Sequence, residues 1–141
     1  MILYVRCNLM PDSAWTLADF CQNLSVPEPM PLERLHCTLL YSTSDIAVPP
    51  PPCDFYPLPL QAIGCEVWEV ANKPPHLVLL LDSDALHRRH AEFRRCGAAH
   101  PFPSYRPHIS LSKSLPVGWT PGILPSLPRD LLLAGEDVFR W

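Results

Sequence analysis

The chain has 141 residues, 48% of them hydrophobic and 18% charged, which suits one globular domain with a core of its own and excludes a disordered segment. Its net charge of −3 and pI of about 6.0 argue against a protein that grips long nucleic acid through a basic surface, although a small phosphorylated ligand needs only a local positive site. No apolar run approaches the roughly 18 residues of a membrane span. The apolar "MILYVRC" at the N-terminus is short and no cleavage-type segment follows it, so it reads as a strand and points to a cytoplasmic protein.

Most of the 19 prolines crowd into 27–31, 49–59, 74–75, 101–107 and 116–128, and regular elements must fit between them. "ILYVRC" is the first strand. "DSAWTLADFCQNL" follows as a helix, with Asp12 or Ser13 as N-cap and a buried stripe of Leu17, Phe20, Cys21 and Leu24 at helical spacing. "LHCTLLYS" is a strand. Pro49 to Pro52 form a polyproline-like connection rather than a ligand for another domain. "LQAIGCEVWEVA" is a strand with Gly64 at a bulge or bend, and "HLVLLLD" is apolar enough to be central. Ser83 or Asp84 caps the helix "ALHRRHAEFRRCG", which Gly97 ends; Leu86, His90, Phe93 and Gly97 share one face, and Arg88, Glu92 and Arg95 lie in solvent. "HISLS" is a strand, and "DLLLAGEDVFRW" supplies one or two more.

Each half of this order has one helix and one H-x-[ST] strand, with His36 and His108 about half the chain apart. The pattern predicts an α+β fold: a single domain over 1–141 with two pseudo-symmetric antiparallel sheet lobes, a helix in each, flanking a central groove.

Strand side chains alternate, so His36 shares a face with Thr38 and His108 with Ser110, while Cys37, Leu39, Ile109 and Leu111 take the opposite, apolar face. Two histidines that titrate near pH ~6.5 suit phosphoester cleavage, one as base and the other as acid. The neighbouring hydroxyls can hold the non-bridging phosphate oxygens. One such triplet would be weak; two in opposite halves, each followed by leucine, make a site. His76, His87, His90 and His100 read as ordinary, because no third ligand or H-E-x-x-H pattern accompanies them. The six cysteines are dispersed, with neither a C-x-x-C pair nor metal-ligand spacing, and read as buried free thiols.

The doubled motif, "HCTL" and "HISL", resembles the signature of the 2H phosphoesterase superfamily. With "YRPHISLS", the N-terminal "LYV", Trp68 and the terminal "GEDVFRW", the chain is similar to the phage anti-CBASS phosphodiesterases. That resemblance implies a hydrolase that opens 3′–5′ cyclic di- and trinucleotides to linear products, evades bacterial immunity in the host cytoplasm, and needs no metal, cofactor or obligate protein partner. It implies catalytic roles for His36, Thr38, His108 and Ser110. It also implies substrate contacts from Tyr4 and Trp68 by stacking on bases, from Glu136 as an acidic residue by the site, and from Trp141 as a cover. A 2H enzyme acting on RNA ends or 2′,3′-cyclic phosphates, and a non-hydrolytic cyclic-nucleotide sponge, are the alternatives.

Overall fold

A computed structural model describes residues 2–102 and 104–141. In chain order the elements are β1 (Leu3–Leu9), α1 (Pro11–Asn23), β2 (His36–Ser42), β3 (Leu58–Trp68), β4 (His76–Asp82), α2 (Asp84–Arg95), β5 (His108–Ser112) and β6 (Leu131–Arg140). A single turn of 3-10 helix, Leu32–Arg34, leads into β2.

The strands form one antiparallel sheet that closes on itself in the order β1-β2-β5-β4-β3-β6. The two lobes foreseen in the sequence are therefore not separate sheets. They survive as two three-stranded groups, β6-β1-β2 and β3-β4-β5, each well paired internally. The groups meet at two thin seams: three register pairs between β3 and β6, and the single pair Cys37↔Ile109 between β2 and β5. The helices precede the two H-x-[ST] strands, as expected, with α1 packed on β6 and α2 on β2.

Alternation dictates which face each strand buries. Leu3, Val5 and Cys7 of β1, Cys37 and Leu39 of β2, Leu77 and Leu79 of β4, Ile109 and Leu111 of β5, and Leu131 and Leu133 of β6 all enter one core. Leu17, Phe20 and Cys21 of α1 and Leu86 and Phe93 of α2 close over it. The alternate residues Tyr4, Arg6, His36, Thr38, His108 and Ser110 remain half-buried on the other face.

Two local expectations change. Helix α1 starts at Pro11, not at a polar cap: proline at the first position has its φ pre-set and no N–H to leave unpaired. Ser13 instead accepts from the Leu132 N–H at 2.8 Å and ties the helix to β6. Helix α2 is capped as foreseen, with Ser83 Oγ accepting from Leu86 N, and it stops before Gly97, whose φ of +101° suits glycine. Gly64 lies at the register shift of β3 against β4. The cysteines are all free, but only Cys7, Cys21 and Cys37 are buried; Cys65 is half-buried, and Cys53 and Cys96 are exposed. The Pro49–Pro52 connection has no regular structure, and its carbonyls at 49 and 50 accept from Arg89. No described helix is long and apolar enough to cross a membrane.

Candidate active site

His36 opens β2 and His108 opens β5, and the seam between those strands brings them together. Each imidazole is fixed in the same way. His36 Nδ1 lies 2.7 Å from the carbonyl of Arg34, and His108 Nδ1 lies 2.8 Å from the carbonyl of Arg106, two residues back in both cases. A carbonyl can only accept, so Nδ1 carries the proton and the neutral ring leaves Nε2 as a bare base. Two rings in one tautomer, aimed by identical local bonds, are what general acid–base chemistry needs.

Burial pushes the pKa of His36 below its ordinary value; the charges of Arg6, Lys113 and His108 push the same way, and the Arg34 carbonyl opposes them. His108 is likewise lowered by burial, with help from Arg106 and Lys113 and opposition from the Arg106 carbonyl.

Tyr4, on β1, completes the His36 side. Its hydroxyl lies 2.8 Å from His36 Nε2 and 2.9 Å from Thr38 Oγ1. Burial raises the Tyr4 pKa, so the phenol stays protonated and donates. The resemblance implied only a stacking ring here; the hydroxyl bridge between histidine and threonine depends on pairing β1 with β2 and has no sequence signature. The ring itself is 6.1 Å from Phe139 and 6.2 Å from Trp141, centroid to centroid. Trp141 is held beside Tyr4 by reciprocal backbone bonds with Ile2, and its ring is largely exposed.

Trp68 lies against His108, with ring centroids 4.4 Å apart. Its Nε1 donates to Glu66 at 2.8 Å, and Arg106 both pairs with Glu66 and sits 5.2 Å over the indole. Each histidine thus has an aromatic neighbour: Tyr4 for His36 and Trp68 for His108.

Glu136 is turned the other way. It pairs in register with the buried Cys7, and its side chain is 7% exposed. Both its oxygens are engaged on the core side: Arg89 Nη2 donates to Oε1 at 2.8 Å, and Arg89 Nε and Tyr56 Oη donate to Oε2 at 3.0 and 2.6 Å. The resemblance supplied the residue type but not its face; in this structure the carboxylate is committed to a buried arginine on the core side. The β6 acid on the Tyr4 face is Asp137, which accepts from Asn8 at 2.6 Å and lies 3.8 Å from Arg6. Glu92, expected in solvent, also bonds Arg89, at 2.6 Å.

Beside His36 opens a cleft of about 560 Å³ lined by Arg6, Arg34 and Lys113 together with Glu28, Met30 and Ser114. Three cations against one carboxylate make a local positive site on a chain of net negative charge. None of the three was named from sequence, since isolated basic residues carry no pattern. Among the described residues, no group of three or more His, Cys, Asp or Glu side chains is disposed to hold a metal ion.

Comparison with known proteins places the chain in a family. Over 111 residues the chain is 36% identical to the anti-CBASS protein Acb1 of Enterobacteria phage T4, covering 78% of this chain and 70% of that protein. In fold it is similar to E. coli LigT complexed with 3′-AMP (TM-score 0.51, 12% identity, 96% of this chain and 84% of that one). It is similar also to TT0787 of Thermus thermophilus (TM-score 0.53, 15% identity, 98% and 84%). The model of the anti-CBASS protein Acb1 family matches residues 1–118, β1 through β5 with both histidine motifs, and the chain belongs to that family.

Proposed function

We propose that the protein is a two-histidine phosphodiesterase that opens 3′–5′ cyclic di- and trinucleotides to linear products without a metal ion, and so removes the alarm signals of CBASS immunity inside the host cell. The observation that carries this reading is the matched pair of imidazoles: same tautomer, same anchoring, a hydroxyl two residues on, and adjacent strands. Membership of an anti-CBASS family supports the choice of a cyclic-nucleotide signal over an RNA end.

The chemistry follows from what the groups can give and take. One Nε2 removes the proton from a ribose 2′-OH, and that oxygen attacks the neighbouring 3′-phosphorus in line. The P–O5′ bond breaks, and the other imidazole, protonated, delivers its proton to the leaving oxygen. The 2′,3′-cyclic phosphate so formed is opened by water, with the two roles exchanged, to a 3′-phosphate. A protein of the same fold, E. coli LigT, has been crystallised with 3′-AMP, which carries an end of that class. Thr38 and Ser110 hydroxyls donate to the non-bridging oxygens as charge builds. Arg6, Arg34 and Lys113 draw the polyanion to the His36 side. Tyr4, Trp68 and Trp141 offer ring faces to the bases, each worth ~1–3 kcal/mol and tolerant of base identity.

The deciding experiment incubates a panel of cyclic di- and trinucleotides, beside RNA 2′,3′-cyclic phosphate ends, with wild type and with the His36→Ala/His108→Ala double variant, all in EDTA. Linear products from wild type alone are expected. Intact ligand recovered from wild type and variant alike would make the protein a sponge. Cleavage of RNA ends alone would move it to that substrate class. Efficient cleavage of a fully 2′-deoxy cyclic dinucleotide would sink the 2′-OH route.

A further inference from the structure

Beyond the pair Cys37↔Ile109, β2 and β5 share no further register pair among the described residues. The carbonyls of Thr38 and Leu39, where β2 slips one residue against β1, turn to side chains. Tyr105 Oη donates to Thr38 O at 2.9 Å, and His90 Nδ1 lies 2.8 Å from Leu39 O, where only an N–H can satisfy the carbonyl. The two rings are stacked face to face, with centroids 4.3 Å apart and planes 6° apart. Two consecutive carbonyls of the His36 strand are therefore held by one stacked unit.

That unit also reaches the other histidine. Tyr105 precedes His108 by three residues, and the Pro107 carbonyl between them accepts from Leu81 N at 3.0 Å, which pins the segment to β4. His90 is 7% exposed and comes from α2, where Leu86 and Phe93 root it in the core. We propose that Tyr105 and His90 are positioning residues of the two-histidine site: they hold these two β2 carbonyls and set the spacing at which His36–Thr38 and His108–Ser110 close on one phosphate. The inference rests on the phosphodiesterase reading given above. Neither side chain lies on the face that carries the catalytic groups; both act through the backbone of β2. Burial lowers the His90 pKa and raises that of Tyr105, so both remain neutral donors at neutral pH.

Tyr105→Phe deletes one hydroxyl and keeps the stack. His90→Leu removes the ring donor, whereas His90→Asn keeps an N–H near the Nδ1 position. Each is assayed on a cyclic dinucleotide and on a ribonucleoside 3′-(4-nitrophenyl phosphate), whose nitrophenolate leaves without a proton. Misplacement of one reacting group relative to the other should lower kcat on the cyclic substrate about tenfold or more, with KM within about threefold. The loss should shrink on the nitrophenyl ester, which dispenses with the acid, and His90→Asn should recover most of the His90→Leu defect. Thermal unfolding run in parallel reports the folded fraction. Equal losses on both substrates that track that fraction would reduce the pair to ordinary packing, and wild-type kcat in folded Tyr105→Phe and His90→Leu would overturn the proposal. Wild type inactive on both substrates would instead sink the phosphodiesterase reading.

Discussion

Cys37 and Ile109 face each other across the β2–β5 seam, both fully buried, and the residues on either side of them, His36 and Thr38 on β2 and His108 and Ser110 on β5, lie on the opposite, half-buried face. Each histidine therefore has a hydroxyl two residues along its own strand, on the same face. On the proposed function, a phosphate bound at the seam would meet two imidazoles and two hydroxyls. The apolar side of the seam is buried in the core, and the polar side carries the groups proposed for the chemistry.

Neighbouring residues on β5 should then give opposite phenotypes. Ile109→Ala opens a cavity under the seam and should cost about 2–5 kcal/mol, read as a fall in the urea midpoint. Ser110→Ala, on the half-buried face, should leave that midpoint nearly unchanged and lower kcat by about 10²-fold through a lost phosphate donor. A Ser110→Ala enzyme of full activity would remove that hydroxyl from the site.

Tyr4 separates into a ring and a hydroxyl. Its phenol lies 2.8 Å from His36 Nε2, the nitrogen that exchanges a proton with substrate on the proposed mechanism, so substrate would have to displace that bond. Tyr4→Phe keeps the ring beside Phe139 and Trp141 and should hold kcat/KM within about tenfold of wild type, since one neutral hydrogen bond nets only ~1 kcal/mol. Tyr4→Ala also loses the stacking face, worth ~1–3 kcal/mol, and should raise KM about 5- to 150-fold. Steady-state kinetics on a cyclic dinucleotide test both, and equal effects from the two variants would mean that the hydroxyl, not the ring, binds substrate.

Much of this site was legible in the chain, and the rest was hidden for identifiable reasons. "HLVLLLD" and "HISLS" coincide with β4 and β5 because proline or turn residues flank short runs of clear apolar or alternating pattern. The faces of His36, Thr38, His108 and Ser110 followed from period two alone. Closure of the sheet was not legible, because it depends on which distant strands pair at the seams. Arg89 was missed although it sits three residues after Leu86 and four before Phe93, squarely on the buried stripe of α2; its charge masked its position. Glu136 was taken by type from a resemblance, and a shift of one residue on a strand exchanges core for cleft.

The pH dependence should carry the signature of two lowered imidazoles. On the proposed mechanism activity needs one neutral and one protonated histidine, so kcat/KM should be bell-shaped: rising as the base loses its proton and falling as the acid loses its own. Both pKa values lie below the ordinary histidine value in the free protein, so the maximum should fall on the acid side of about pH 6.5. A bound phosphodiester anion favours the protonated imidazole, so the falling limb of kcat should lie at higher pH than that of kcat/KM. Initial rates from about pH 5 to about pH 9 check this, and a flat profile would exclude the paired assignment.

The Arg89–Glu136 pair offers a test of Glu136 that separates stability from binding. The guanidinium is fully buried over the Phe93 ring, bonded to both carboxylate oxygens of Glu136, to Glu92, and to the carbonyls of Pro49 and Pro50. Arg89→Met leaves a carboxylate in the core with only the Tyr56 hydroxyl to meet it, and should cost about 3–5 kcal/mol. Pairing it with Glu136→Leu removes the stranded charge and should recover much of that loss, because an apolar pair of similar volume avoids the desolvation penalty altogether. The double variant should then bind a cyclic dinucleotide with KM within about twofold of wild type, the charge pair lying behind the sheet rather than in the cleft. A KM raised tenfold or more in a double variant of near-native stability would return Glu136 to the substrate, and would require β6 to twist its acid out of the core when ligand binds.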